Sequence, residues 1–210
     1  MTDVFSAING RTSANNFDPT HVMTQAEITE LAQLANQTPT SFNQQNWRLV
    51  AVNTPAAKSR LKAAAYNQPK VGDAAVTFVV VGKIGGHKDL PVLIKPMLDG
   101  GYIDQAAFDG WIGMANGMYD GMYDGKEQFQ RDEAVRSASM AAMTLMYAAH
   151  GKGLVSGAMI GYDPTAVSAE CKLAADEIPV MLIAVGRPAP GNWPRKVRRA
   201  VADVVSFSAD

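Results

Sequence analysis

The chain has 210 residues, of which 47% are hydrophobic and 19% charged, and its net charge is −1. That length suits one domain with a sizeable core, and the near-neutral balance excludes the strongly basic character of a nucleic-acid or anionic-membrane binder. A single cysteine, Cys171, excludes an internal disulfide and a cysteine-based metal cluster. Asp3 without an apolar run behind it does not read as a secretory signal. No stretch reaches the roughly 20 apolar residues of a spanning helix, so the expectation is a cytoplasmic protein without membrane contact.

Along the chain, Thr24 followed by Glu27 forms a capping-box pattern, and Ile28, Leu31 and Leu34 recur at helical spacing behind it. "WRLVAV" (47–52) reads as a strand. Thr54 and Pro55 then mark the cap and first position of a helix through "AAKSRLKAAAY". "AAVTFVVVG" (74–82) is a continuous β-branched run and predicts a buried central strand. "RDEAVRSASMAAMTLMYAAH" (131–150) predicts a long helix, apolar or small nearly all round and therefore deep in the core. "LVSGAMIG" reads as extended, Asp163 with Pro164 starts a short helix, and "IPVMLIAVG" (178–186) is a second buried strand.

Residues 84–130 differ, being rich in Gly and Met with Tyr102, Trp111, Tyr119 and Tyr123 scattered through them. They read as an insertion carrying one or two weak helices. The expected architecture is one α+β domain over residues 1–210, with residues 187–210 as a Pro-rich, basic and then apolar C-terminal arm.

Familiar chemistry is missing: the chain has neither a phosphate-loop motif nor G-x-G-x-x-G between strand and helix. His21, His87 and His150 show no metal spacing and read as structural or surface residues; no metal is expected. Four polar clusters remain, namely "RTSANN" (11–16), "TPTSFNQQNW" (38–47), "YNQPK" (66–70) and "RKVRR" (195–199). Singly, each reads equally as a solvated turn, loop or tail. Together they supply cations for a phosphate and side-chain amides for a polar ring.

In content and order these clusters resemble the FMN-dependent nitroreductase family, over essentially the whole chain. Arg11, Ser13 and Asn15 match its R-x-S-x-R/K/N phosphate motif. Pro39, Thr40, Ser41, Asn43, Gln45 and Trp47 match its P-S-x-N-x-Q-x-W segment, and "AMIGYD" resembles its flavin-contact strand. The resemblance implies a central mixed sheet flanked by helices, a long buried central helix and an intertwined homodimer.

It also implies site residues. Arg11, Thr12, Ser13 and Asn15 would hold the phosphate and ribityl chain of FMN, with Lys196 and Arg198 closing on the phosphate. Asn67 and Lys70 would contact the pyrimidine ring and ribityl. Ser41, Asn43 and Gln45 would reach the flavin from the other subunit, and Pro39 and Thr40 beside them would also contact the cofactor. Ala158, Met159, Ile160 and Gly161 would run past the ring, with the Ile160 and Gly161 amides facing N5. Asn15 stands where Lys or Arg is commoner, and Ala158 where proline is usual.

Phe42, Trp111, Tyr119 and Tyr123 are candidates to contact the acceptor, the last three by stacking as parts of a lid within residues 100–125. No titratable side chain is expected to be catalytic, because the flavin carries the chemistry. NADH or NADPH would reduce it at N5, and a nitroaromatic, quinone or activated alkene would reoxidise it in a ping-pong cycle. A flavin storage or sensor protein without turnover is the alternative.

Overall fold

Capping chemistry starts the helices where the sequence places them. Thr24 accepts from the Glu27 N–H while the Glu27 carboxylate accepts from the Thr24 N–H, a closed capping box. Thr54 and Asp163 accept from the first-turn amides of two further helices, each with proline at its start. The structure is a computed structural model and describes residues 3–122 and 126–208.

In chain order the elements begin with α1 (Val4–Gly10), α2 (Gln25–Ala35), β1 (Trp47–Val52), α3 (Pro55–Ala64), α4 (Pro69–Asp73) and β2 (Val76–Lys83). Next come α5 (Leu90–Leu93), α6 (Lys95–Asp99), α7 (Gln105–Asn116) and a π-helical turn over Gly117–Met122. The chain closes with α8 (Lys126–Gly151), β3 (Val155–Met159), α9 (Pro164–Glu170) and β4 (Glu177–Gly186).

The four strands form one sheet in the order β1-β2-β4-β3. β2 is central and buried along nearly its whole length because helices cover both faces. Phe78 and Val80 face α2 and α8 in one core cluster. The alternate residues Val79 and Val81 face Leu61, Val71 and Val167 on the other. Period-2 alternation thus sends one continuous apolar run into two cores.

Three expectations change. The sheet was expected to be mixed, but all its strand pairs are antiparallel, and the parallel pairing is an isolated bridge, Ser13 to Ser156. The stretch after β2 is better ordered than weak helices would suggest. Asp104 caps α7, a helix of 12 residues, and Leu90, Ile94, Phe108 and Ala115 close a small core of their own. Its C-terminal boundary also moves, because residues 126–130 belong to α8.

The long helix α8 is buried on one side, through Ala134, Ala138, Ala142, Leu145 and Ala149. Its other side is partly open in the single chain, with Met140 exposed. The sheet can cover only one face of the helix. No helix of the described residues is long and apolar enough to cross a membrane.

Candidate active site

The segment after α1 is laid across the edge of the sheet and held there from two directions. Ala14 N–H donates to the Ser156 carbonyl at 2.9 Å, docking the segment on β3. Gly157 permits this approach: a Cβ there would lie 2.2 Å from the Ala14 carbonyl oxygen. From the opposite end of the chain, the arm after β4 folds back over the same residues. Asn192 Oδ1 accepts from the Asn15 and Asn16 N–H groups at 2.8 and 2.9 Å. Arg195 Nη2 donates to the carbonyls of Ile8, Asn9 and Arg11.

Between segment and arm lies a cavity of about 90 Å³ lined by Arg11, Thr12, Ser13, Pro194, Arg195, Lys196 and Arg198. Four of these residues are cationic. Among the described residues none of the four, nor Lys70, has a carboxylate within ion-pair distance. Burial, helped by Arg195 and Arg198, holds the Arg11 guanidinium below the usual arginine range, although Tyr147 opposes the shift. Burial foremost, then Lys196, does the same to the Lys70 ammonium, which donates to Asn15 Oδ1 at 3.3 Å. Arg11 and Lys70 are half-buried and Arg195, Lys196 and Arg198 exposed; cations crowded in this way without anions repel one another, and an anionic occupant would relieve that repulsion. With the Thr12 and Ser13 hydroxyls beside them, the donor set fits a phosphate monoester.

A second cluster borders this region. Tyr66 and Asn67 take left-handed backbone angles, φ 52° and 58°, at the turn before α4. From that turn Gln68 Nε2 donates to the Gly161 carbonyl at 2.6 Å, tying "YNQPK" to the segment after β3. There Ile160 is 80% exposed. Arg11, Thr12, Ser13, Lys196 and Arg198 therefore meet in one cavity, and the hydrogen bonds of Asn15, Lys70 and Gln68 link it towards residues 158–161.

Residues 39–45 are not among those lining this cavity. Phe42, Asn43 and Gln45 all have left-handed backbones, with φ 52°, 56° and 47°. A non-glycine residue held there costs about 1 kcal/mol or more, which the surrounding contacts must offset. Asn43 and Gln45 are exposed while Gln44 and Asn46 are buried, so the alternation seen in sequence separates outward from inward amides. The loop is braced by α7 and the π turn: Trp111 Nε1 donates to the Phe42 carbonyl at 3.1 Å, and the Tyr119 hydroxyl to Ser41 Oγ at 2.9 Å.

This bracing corrects one proposed acceptor contact. Tyr119 is 1% exposed, stacked on His87 with ring centroids 5.2 Å apart and edge-on to Phe42. Its ring has no free face, because it fills the gap between loop and excursion. Phe42 and Trp111 are half-buried, and Tyr123 lies outside the described residues. Sequence reasoning missed Asn192, Arg195 and Gln68. Two of these sat inside clusters it had noted, but nothing local distinguishes a side chain that binds backbone from one that binds ligand.

A helix-covered sheet with a carboxylate-free cationic cavity at its edge is suited to a small phosphate-bearing ligand. The chain belongs to the nitroreductase family of oxidoreductases, whose family model matches residues 8–187. It is 29% identical over 187 residues to the Bacillus subtilis (strain 168) protein named as the NAD(P)H nitroreductase YodC, covering 89% of this chain and 90% of that one. It is 26% identical over 190 residues to the "CLA biosynthesis enone reductase" of Lactiplantibacillus plantarum, covering 89% and 86% of the two chains. A solved structure from Exiguobacterium sibiricum 255-15, described as a nitroreductase in complex with FMN, superposes with a TM-score of 0.90 at 23% identity. That match covers 99% of this chain and 98% of the other.

Proposed function

We propose that this chain is an FMN-dependent NAD(P)H oxidoreductase that reduces small acceptors such as nitroaromatics, quinones or activated alkenes. The observation that carries this reading is the cavity where Arg11, Arg195, Lys196 and Arg198 converge without a carboxylate. The names of the Bacillus and Lactiplantibacillus relatives and the FMN complex from Exiguobacterium support it. When bound, FMN supplies the two-electron chemistry between nicotinamide and acceptor.

The chain's own residues divide the remaining work. Arg11, Lys196 and Arg198 would hold the phosphate, and Thr12 and Ser13 would donate hydroxyls to it. Asn15, Asn67 and Lys70 would bind the ribityl chain and pyrimidine ring, where the Lys70 charge favours the electron-rich reduced form. Residues 158–161 would border the ring, with the Ile160 and Gly161 amides as donors. Phe42 and Trp111 remain candidates for contact with the acceptor.

We read residues 1–210 as one domain that works as a homodimer, in which Pro39, Thr40, Ser41, Asn43 and Gln45 complete a partner's site. The exposed side of α8 at Met140 supports this, as does the arm, whose Val197 and Phe207 are 95% and 92% exposed. A single cysteine and a nicotinamide donor suit the cytoplasm.

The test is the absorption spectrum of the purified protein. A flavin spectrum is expected, with one FMN per chain released on denaturation. NADH or NADPH should bleach it, and an acceptor should restore it. FAD, or protein that takes up no FMN, would overturn the reading. FMN that neither nicotinamide reduces would identify a flavin carrier.

A further inference from the structure

The cavity that would hold the phosphate is made by two pieces of chain about 180 residues apart. Its cations repel one another, and among the described residues the arm that brings Lys196 and Arg198 has no regular structure beyond an isolated bridge, Phe17 to Pro188, and a short turn at Val201–Asp203. Something other than the ligand must fix the arm on the Arg11 segment.

We infer that Asn192 and Arg195 are positioning residues, which clamp the arm across residues 8–16 so that Lys196 and Arg198 face Arg11, Thr12 and Ser13. Asn192 is fully engaged. Its Oδ1 accepts from the Asn15 and Asn16 N–H groups, and its Nδ2 donates to the Asn16 and Ala189 carbonyls at 2.8 and 3.0 Å. One side-chain amide thereby cross-links the binding segment to the start of the arm, using every donor and acceptor it has. It is not among the cavity-lining residues, so its effect on a ligand would pass through the two pieces of chain it joins, the arm and residues 15–16.

Arg195 works at the other end of the segment. The last carbonyls of a helix lack partners and carry its negative end. Arg195 Nη2 reaches Ile8 at 2.9 Å, Asn9 at 2.6 Å and Arg11 at 2.9 Å. It therefore partners two of the last carbonyls of α1 and holds the backbone of Arg11 itself. Within the basic run, Arg195 grips the α1 end of the binding segment, whereas Arg198 Nη1 donates only within the arm, to the Lys196 and Val197 carbonyls at 2.9 and 3.0 Å, and with Lys196 lines the cavity where the ligand would sit. The division of labour rests on the FMN reading; the clamp does not.

The experiment uses the full chain carrying Asn192→Ala, with Arg195→Gln as a second variant, beside wild type. In the flavin-free proteins, amide hydrogen exchange at Asn15 and Asn16 is expected to quicken in Asn192→Ala, and trypsin is expected to cut within residues 195–199 sooner. FMN affinity, from quenching of flavin fluorescence, should fall about tenfold or more in each variant. In Asn192→Ala, turnover per bound FMN at saturating FMN should stay at the wild-type value, which a general loss of structure would not allow. Should Asn192→Ala fail to fold, Asn192→Ser is measured with the same expectations.

Unchanged exchange and cleavage in the flavin-free variants would overturn the clamp, as would wild-type FMN affinity in both. Wild type that binds no FMN would instead refute the proposed cofactor. The exchange and cleavage measurements would then still decide the clamp.

Discussion

The Tyr119 hydroxyl donates to Ser41 Oγ at 2.9 Å, joining the π turn after α7 to the strained loop that precedes β1. Burial pushes the Tyr119 phenol above its usual range, although the Ser41 and Gln44 hydrogen bonds oppose the shift. Tyr119 thus acts as a brace. Tyr119→Phe removes the partly buried hydrogen bond to Ser41 Oγ and whatever Gln44 adds, together about 1 kcal/mol, or a fall of roughly 2–4 °C in Tm. Tyr119→Ala also leaves a cavity and should cost about 3–5 kcal/mol. Thermal melts check both values. Relative rates with quinones and nitroaromatics should be unchanged in Tyr119→Phe; a selective change would show that the residue meets the acceptor.

Arg11 and Arg198 line the cavity from its two sides. Charge-assisted hydrogen bonds are worth roughly 1.5–3 kcal/mol, so Arg11→Ala or Arg198→Ala should weaken FMN binding about ten- to a hundredfold. Titration of the flavin-free variants measures this directly. Wild-type affinity in both would locate the phosphate elsewhere.

Lys70 provides a pH dependence whose sign can be worked out. Its folded-state pKa lies below the unfolded value of about 10.4, through burial first and Lys196 second. Between the two values the unfolded chain binds more protons, so this group's contribution to stability rises with pH across that window. FMN affinity should run the other way, falling as pH rises through the depressed Lys70 pKa and the cation is lost. Lys70→Met is expected to weaken binding at neutral pH and flatten the alkaline decline. An identical decline in the variant would assign it to another group.

Gly157→Ala puts a methyl group against the Ala14 carbonyl, at 2.2 Å before any relaxation. Neither the strand nor the docked segment can yield cheaply, and overpacking of this kind costs about 1–3 kcal/mol. Loss of the Ala14-to-Ser156 bond should appear as faster hydrogen exchange at Ala14, accompanied by weaker FMN binding. Unaltered exchange would mean that the segment is held by the arm alone.

Cys171 ends α9, and burial first, then Glu170, pushes its thiol up despite the opposing Arg48. A thiol that stays protonated at neutral pH is a poor nucleophile. Cys171→Ala is expected to keep NADH oxidation at the wild-type rate. Loss of turnover with FMN still bound would point to sulfur chemistry.

Local chemistry made much of this protein legible in its sequence. Caps at Thr24, Thr54 and Asp163 and the apolar runs of β2 and β4 act over a few residues, so each could be read where it stands. The polar clusters were legible too, because cations, hydroxyls and amides declare what they can bind. Which of them meet is a matter of distant contacts. Asn192 and Arg195 differ from their neighbours only in having backbone of residues 8–16 within reach. Tyr119 looked like an accessible aromatic until the π turn folded it between His87 and Phe42. The parallel pairing is confined to one bridge, Ser13 to Ser156, where the N-terminal segment docks on β3. These outcomes depend on residues far apart in sequence being brought together by a buried sheet, and the spacing of letters along a chain carries no record of that.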